Sequence, residues 1–232
     1  IANIQFNTGK IKIADIVRAI DLKDIRVVNT SEQDNSYFNV EGSYKGSAEK
    51  IDVKGVNLNG SINFKNLNLL YKPLNLPIKF VSGNAKIKET SLNINKVNFI
   101  AGSMPALFEG KISNLLTKPS ADAYLTSKPN QKFIDLVYNK KEIYPIKLKG
   151  DVDLSVALAG TLNNLNTRSI VKIAQGSSLY YMGASIGDEN APIHLSLNTN
   201  YSPKAITVKS FLYDKLIYSQ NHRAVVSRQL ST

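Results

Sequence analysis

Cysteine and tryptophan are absent from this sequence, and histidine occurs only as His194 and His222. The absence of cysteine excludes disulfide scaffolds, thiolate metal sites and cysteine nucleophiles. General acid–base, nucleophilic and metal catalysis draw mainly on His, Cys and clustered carboxylates. Because these residues are so scarce, we predict that the protein is not an enzyme, and we expect no catalytic residue, no metal site and no cofactor.

The few candidates for chemistry have simpler structural explanations. His194 lies between Ile193 and Leu195 on the expected polar side of a strand, and His222 lies in a region without periodicity. Asp151 and Asp153 are two residues apart and could bind a cation together, but flanking lysines favour a solvated strand face. The sequence contains no phosphate-binding loop, dinucleotide-binding turn or nucleophile elbow.

Long apolar runs are also missing, since no stretch approaches the roughly 18 apolar residues that span a bilayer. The sequence begins at Ile1 without Met or a leader, so we expect a fragment or a mature form, and this portion is expected to be soluble. A chain of 232 residues can bury a sizeable core. We therefore predict one domain over residues 1–232, with a candidate hinge at 139–143 and an unpatterned tail at 219–232.

The charge is strongly basic, at +11, but its distribution does not favour nucleic acid. Of the 29 basic residues only five are Arg, the residue preferred for base and phosphate recognition. The Lys residues are spread singly along strands, where they discourage aggregation. Aromatic residues follow the apolar phase and are expected inside. Nucleic acid is therefore not an expected partner, whereas weak attraction to an anionic membrane surface is.

Short stretches of alternating apolar and polar residues dominate the chain, as in Leu92-Asn-Ile94 and Ile193-His-Leu195-Ser-Leu197. This period is typical of half-buried β-strands. Two segments have helical spacing instead, at residues 12–20 and at 131–137, where Asn130 can cap the helix. Strands are predicted at about 38–44, 50–56, 60–67, 78–80, 84–88, 91–99, 107–115, 121–126, 146–158, 167–174, 177–181, 192–198 and 205–212.

Two strand segments are similar to one another, because Gly60 and Gly110 each open a strand that ends in Asn-Leu. Repeated sheet-forming units would produce this similarity, and so could chance. Another set of stretches has a familiar order: Leu76–Ile78, Ser82–Ile87, Thr90–Phe99 and Phe108–Ile112, and then Lys149–Leu154 followed by Leu158–Leu162. These stretches resemble repeated units of the AsmA-like family of diderm bacteria, the group that includes TamB and YhdP. The resemblance covers most of residues 38–212.

The resemblance implies a mainly β fold: an elongated, curved antiparallel sheet of repeated β-units, forming an open groove or half-barrel, with two short helices. It implies a non-catalytic segment of an envelope protein that helps to move phospholipids between the inner and outer membranes or supports outer-membrane biogenesis. The implied partners are phospholipid acyl chains and outer-membrane assembly proteins. The implied location is the periplasm, in a protein anchored in the inner membrane outside this fragment.

Alternation alone is equally compatible with a closed β-sandwich that serves as an interaction or adhesin-like domain with a dry core. In the groove interpretation the apolar side chains share one interior that contacts lipid. Val97 and Phe99 belong to it only if a bulge near Asn95 and Lys96 shifts the phase after Ile94. The predicted groove-lining residues are Ile62, Phe64, Leu92, Ile94, Val97, Phe99, Val152, Leu154, Val156, Leu158, Leu195 and Leu197.

Overall fold

The structure, a computed structural model, describes residues 2–20, 23–28, 34–47, 49, 52, 55–141, 144–161, 163–218 and 223–230. Within these residues the protein is mainly β, with two short α-helices. The chain divides into two compact units. Unit 1 comprises Ile1–Ile100 and Leu107–Ala123, and unit 2 comprises Ala101–Ala106 and Tyr124–Thr232.

The first half of the chain contains nine strands and one helix among the described residues. The helix α1 lies between the second and third strands, as the helical spacing of residues 12–20 predicts. The bounds are β1 Ala2–Asn7, β2 Ile11–Lys12, α1 Ile13–Ile20, β3 Ile25–Val27, β4 Tyr37–Gly46, β5 Val56–Tyr71, β6 Leu76–Lys88, β7 Ser91–Ala101, β8 Met104–Ser113 and β9 Ser120–Ser127.

The second helix, α2, begins where its predicted cap lies. Asn130 accepts a hydrogen bond from the Phe133 backbone N–H at 3.0 Å, which satisfies a free helix N–H group. Strands follow to the end of the described chain. The bounds are α2 Gln131–Val137, β10 Lys147–Lys149, β11 Val152–Thr161, β12 Asn164–Ile173, β13 Ser178–Tyr181, β14 Ala184–Gly187, β15 Ile193–Ser202, β16 Ala205–Tyr218 and β17 Arg223–Leu230.

Fourteen of the described strands form one antiparallel sheet in the order β1-β4-β5-β6-β7-β8-β9-β11-β12-β15-β16-β17, with β2 on β4 and β3 on β5. Its two terminal strands do not pair with each other, so within the described residues the sheet is open. A second sheet has the order β10-β13-β14. The predicted mainly β class, with a large open antiparallel sheet and two short helices, is therefore confirmed.

Several predicted boundaries differ from the structure. The strand predicted at 146–158 is two strands in different sheets, because Gly150 interrupts it with a φ of +80°. The strands predicted at 78–80 and 84–88 are one strand, β6. The strand predicted at 50–56 falls largely on residues 50, 51, 53 and 54, which lie outside the described residues.

The single domain predicted over residues 1–232, with a candidate hinge at 139–143, stays a prediction, and the boundary between the two compact units falls elsewhere. The chain divides around β7, β8 and β9, where alternation gives no sign of a boundary, and not at the candidate hinge 139–143. Residues 139–141 form a 3₁₀ turn, and 142 and 143 lie outside the described residues. The tail expected to be unpatterned contains β17, which pairs with β16. Adjacent Val225 and Val226 hide its alternation, so only the pairing reveals the strand.

The two similar glycine-led segments share one backbone feature. Asn66 and Asn114, which precede the leucines in the two segments, adopt left-handed conformations with φ of +60° and +56°. Asparagine tolerates this conformation better than most residues. The segments then differ, because Leu67 continues within β5 whereas Leu115 lies beyond the end of β8. The similarity is thus a left-handed asparagine that occurs within one strand and just beyond the end of another.

Candidate functional site

The register of unit 2 places the six predicted residues of that unit on one face of its sheet. Val152 pairs with Ile173, which pairs in turn with Ile193. Leu154 is likewise opposite Val171, and two residues further along the same strands Val156 is opposite Ser169, which is opposite Leu197. Because residues of equal parity share a face, one apolar surface results. We call this surface the unit 2 face, and its predicted members are Val152, Leu154, Val156, Leu158, Leu195 and Leu197.

Burial falls along the unit 2 face from one end to the other. At one end Ile173 and Ile193 are 0% and 1% exposed, and Leu148 and Leu179 of the second sheet pack against the cluster that they form with Val152. At the other end Ile206 is 69% exposed and its cross-strand partner Tyr201 is 41% exposed. The predicted residues between these ends are half-buried. One end of the face is therefore a protein core, and the other end is open.

Two threonines lie on the unit 2 face and satisfy each other's hydrogen bonding. Thr167 is opposite Leu158 on one side and Thr199 on the other. The hydroxyls of Thr167 and Thr199 hydrogen-bond to each other at 2.6 Å. Because a hydrogen bond joins the two hydroxyls, the polar groups are partnered within the face, and the methyl groups are available for apolar contact. The face therefore remains apolar in character toward its open end.

Unit 1 has a comparable surface that contains an aromatic row. Phe64 of β5 and Phe80 of β6 stack with ring centroids 5.1 Å apart, and the ring centroid of Phe80 is 5.8 Å from that of Phe99 in β7. Ile62 shares the face of Phe64, two residues away on the same strand. The rings are half-buried. We call this surface the unit 1 face, and its predicted members are Ile62, Phe64, Leu92, Ile94, Val97 and Phe99.

The unit 1 face depends on coordinated shifts of phase in neighbouring strands. In β7, Asn95 and Lys96 are both exposed, Lys96 has a φ of +27°, and Val97 is 3% exposed. The sequence predicts this irregularity from the parity of Val97 and Phe99. Matching shifts occur at Asn66 in β5 and at Val81 in β6, and the sequence does not predict them.

Gly83 shows why the irregular strands can lie so close together. Its φ is +149°, and a Cβ added there would lie 2.6 Å from the Cα of Val97. Real Cβ atoms do not approach backbone atoms that closely, so the site requires glycine. On the opposite, polar face, the Asn95 amide donates to Asn84 Oδ1 at 2.9 Å, and the Asn98 amide donates to Ser82 Oγ at 3.2 Å.

His194 lies on the polar side of unit 2, in a cross-strand row with charged residues. Lys172 and Asp214 are its direct partners on the two neighbouring strands. Partial burial lowers the pKa of His194 below its ordinary value, the Lys172 charge lowers it further, and Asp214 opposes the shift. The neutral imidazole is therefore favoured. This is a structural position in a mixed-charge row.

Other features of the described residues bear on the expected chemistry. No group of three or more His, Asp or Glu residues among them is arranged to hold a metal ion. His222 lies outside the described residues. A shallow cavity of about 560 Å³ is lined by residues of β1, β4 and β5, including Gln5, Phe6 and Glu41, and none of the twelve predicted residues lines it. In the part of the chain that the structure describes, no helix is both long and apolar enough to traverse a bilayer.

Some residues of the two faces escape prediction from the sequence. Ile173 is the most buried side chain of the unit 2 face, and Val171 and Tyr213 pack beside it. The adjacent pair Ile170 and Val171 hides the alternation of β12, because both residues are apolar and they point to opposite faces. Because side chains two residues apart share a face, Val171 lies on the same face as Ile173, and Ile170 lies on the other.

Comparisons with known proteins add no relative. No protein-family model, no curated protein and no solved structure matches this chain. The class that the fold defines is a mainly β protein built on a large open antiparallel sheet with apolar faces.

Proposed function

We propose that the protein is a non-catalytic lipid-binding segment that holds phospholipid acyl chains against its apolar sheet faces. The observation that supports this proposal is the change in burial along the unit 2 face. The face is a closed core at Ile173 and Ile193, and it is exposed to solvent at Tyr201 and Ile206. An apolar surface that continues beyond its core is typical of a binding site.

The physical basis is the hydrophobic effect alone. Each methylene group removed from water contributes about 0.8 kcal/mol, so aliphatic side chains can retain an acyl chain without specific polar contacts. The half-buried Leu154, Val156 and Leu158 would supply such contacts in unit 2. The aromatic row of Phe64, Phe80 and Phe99 would supply them in unit 1.

The resemblance to the AsmA-like family gives the proposal its biological setting. In that setting the chain belongs to a periplasmic part of an inner-membrane-anchored protein. It helps to move phospholipids between the inner and outer membranes or supports outer-membrane biogenesis, together with outer-membrane assembly proteins. The proposal for lipid binding rests on the sheet faces, and the proposed location and partners rest on the resemblance.

The first test is extraction of the purified protein with organic solvent, followed by mass spectrometry of the extract. Bound phospholipid is the expected result. Protein that carries no phospholipid and also excludes added fluorescent fatty acids would support the rival interpretation, an interaction or adhesin-like domain with a dry core.

The second test changes the face directly. Replacing Leu154 and Val156 with Asp places two carboxylates on the unit 2 face, where an unpaired charge costs several kcal/mol. The matched control replaces Ser155 and Ala157 with Asp, on the opposite face of the same strand. We expect the first pair to abolish lipid binding with the β-sheet circular-dichroism signal near normal, and the control pair to retain lipid. Loss of folding in the first pair would indicate a dry core, and retained lipid would remove β11 from the site.

A further inference from the structure

Large apolar side chains cluster at one end of the second sheet of unit 2. Tyr180 and Tyr181 end β13 with 43% and 41% of their surface exposed, and Met182, in the following turn, is 59% exposed. Tyr144, which precedes β10, is 53% exposed. We call these four residues the hairpin tip. Exposed apolar clusters of this kind commonly mark interaction sites.

The hairpin tip has a defined geometry. Met182 and Gly183 have φ of +49° and +82°, which is the conformation of a tight two-residue β-hairpin turn. Lys147 of β10 is directly opposite Tyr180, and the antiparallel register carries the residues before Lys147, including Tyr144, toward the same turn. The Tyr181 hydroxyl lies 3.4 Å from the Tyr138 hydroxyl, next to α2. The turn therefore presents Met182 at the apex of an ordered protrusion.

The hairpin tip is separate from the packing role of its sheet. Leu148 and Leu179 of this sheet pack against the core cluster of Val152, Ile173 and Ile193. Tyr180 alternates with Leu179 along β13, so it lies on the face directed away from that core, whereas Tyr181 shares the face of Leu179. Packing against the core therefore does not account for the exposed Tyr180 or for Met182 in the turn.

The charges around the hairpin tip are basic. Residues 138–149 contain four Lys and one Glu, and residues 178–187 contain no charged side chain. Lys140, Lys147 and Lys149 are exposed. The one acidic residue of α2, Asp135, accepts hydrogen bonds from the side-chain amides of Gln131 and Asn139, each at 2.6 Å. An uncharged apolar apex is thus flanked by lysines.

We propose that the hairpin tip docks the protein on the surface of an anionic phospholipid bilayer. Tyrosine rings are suited to the membrane interface, because one edge is apolar and the hydroxyl stays hydrated. Lysines beside the tip are placed to contact headgroup phosphates. An uncharged apex that ends in Met182 favours entry into the headgroup layer over binding to nucleic acid, which relies on basic residues interleaved with stacking aromatics. This docking does not require the sheet faces to hold lipid.

The test uses the absence of tryptophan from the chain. Met182→Trp introduces a single tryptophan at the apex. The control, Lys118→Trp, places one in the exposed turn between β8 and β9. Both proteins are mixed with vesicles of phosphatidylglycerol and phosphatidylcholine, with vesicles of phosphatidylcholine alone, and with single-stranded RNA.

We expect the tryptophan fluorescence of the Met182→Trp protein to shift to the blue with the anionic vesicles and to be quenched by brominated lipid. The fluorescence of the Lys118→Trp control should stay unchanged. Equal responses of the two proteins, no response of the Met182→Trp protein, or tight binding to RNA without vesicle binding would each overturn the proposal.

A second variant, Tyr181→Asp with Met182→Asp, should reduce vesicle affinity about tenfold or more, because it removes apolar surface from the apex and adds negative charge. Unchanged affinity in that variant would also overturn the proposal. The Leu154→Asp/Val156→Asp variant should still dock, which distinguishes failure of docking from failure of lipid binding on the unit 2 face.

Discussion

Because burial decreases along the unit 2 face, the same substitution should cause a large loss of stability at one end and a small loss at the other. Ile173 and Ile206 lie on the same face of the same unit, but Ile173 is 0% exposed and Ile206 is 69% exposed. Replacing either residue with Ala removes the same three carbon atoms. The two substitutions therefore separate the role of burial from the role of residue type.

The expected magnitudes follow from the burial. At Ile173, three buried carbons at about 0.8 kcal/mol each give about 2.4 kcal/mol, and the cavity left between Val152 and Ile193 brings the loss into the range of about 2–5 kcal/mol. At Ile206 little apolar surface leaves water, so the loss should stay within about 1 kcal/mol, mostly from lower strand propensity.

The assay is urea unfolding followed by circular dichroism. With a denaturant dependence of about 2–3 kcal/mol per molar urea, Ile173→Ala should lower the midpoint by about 1 M or more, and Ile206→Ala by less than about 0.5 M. Lipid retention should show the opposite order. Among the folded proteins, we expect Ile206→Ala to lose more bound lipid than Ile173→Ala. Equal shifts of the midpoint would refute the assignment of a closed end and an open end.

Two further predictions concern the strand irregularity and the polar row. Gly83→Ala should destabilise the protein by about 2–4 kcal/mol, because the new Cβ meets Val97 and the residue keeps a φ of +149°. Gly9→Ala, with a φ of +61° and no atom within 4 Å, should cost only about 1–2 kcal/mol by thermal unfolding, and equal losses would exclude the close approach as the cause. The lowered pKa of His194 means that its contribution to stability is present above the unfolded pKa of 6.5 and is lost as the pH falls through that value toward the folded pKa. His194→Gln should therefore reduce the loss of stability on acidification from neutral pH in thermal unfolding, and an unchanged pH profile would exclude this role.

Much of the local structure could be predicted from the sequence, because it depends on neighbouring residues. Alternation predicts most strands, helical spacing predicts α1, and the side chain of Asn130 marks the start of α2. The phase shift at Lys96 is predictable because Ile94 and Val97 have opposite parity and both are apolar. The twelve residues predicted to line a groove lie on two apolar faces, six in each unit, and their contact with lipid stays a prediction.

What the sequence could not predict depends on pairing between distant residues. The break at Gly150 sends β10 and β11 into different sheets, and alternation continues across it as if the strand were one. The shift in β6 at Val81 is matched to that of β5 at Asn66. It can therefore be recognised only when the pairing of the two strands is known. The burial gradient likewise depends on the second sheet, which covers one end of the unit 2 face.

In the proposed function, acyl chains lie against the half-buried part of the unit 2 face. The most direct measurement places a photo-activated crosslinking residue at position 158, on that face, and in a second protein at position 157, on the opposite face of the same strand. Both proteins are irradiated in cells and the adducts are identified by mass spectrometry. We expect phospholipid adducts at position 158 and few or none at position 157. Equal labelling at the two positions, or no lipid at position 158 in a folded protein, would contradict it.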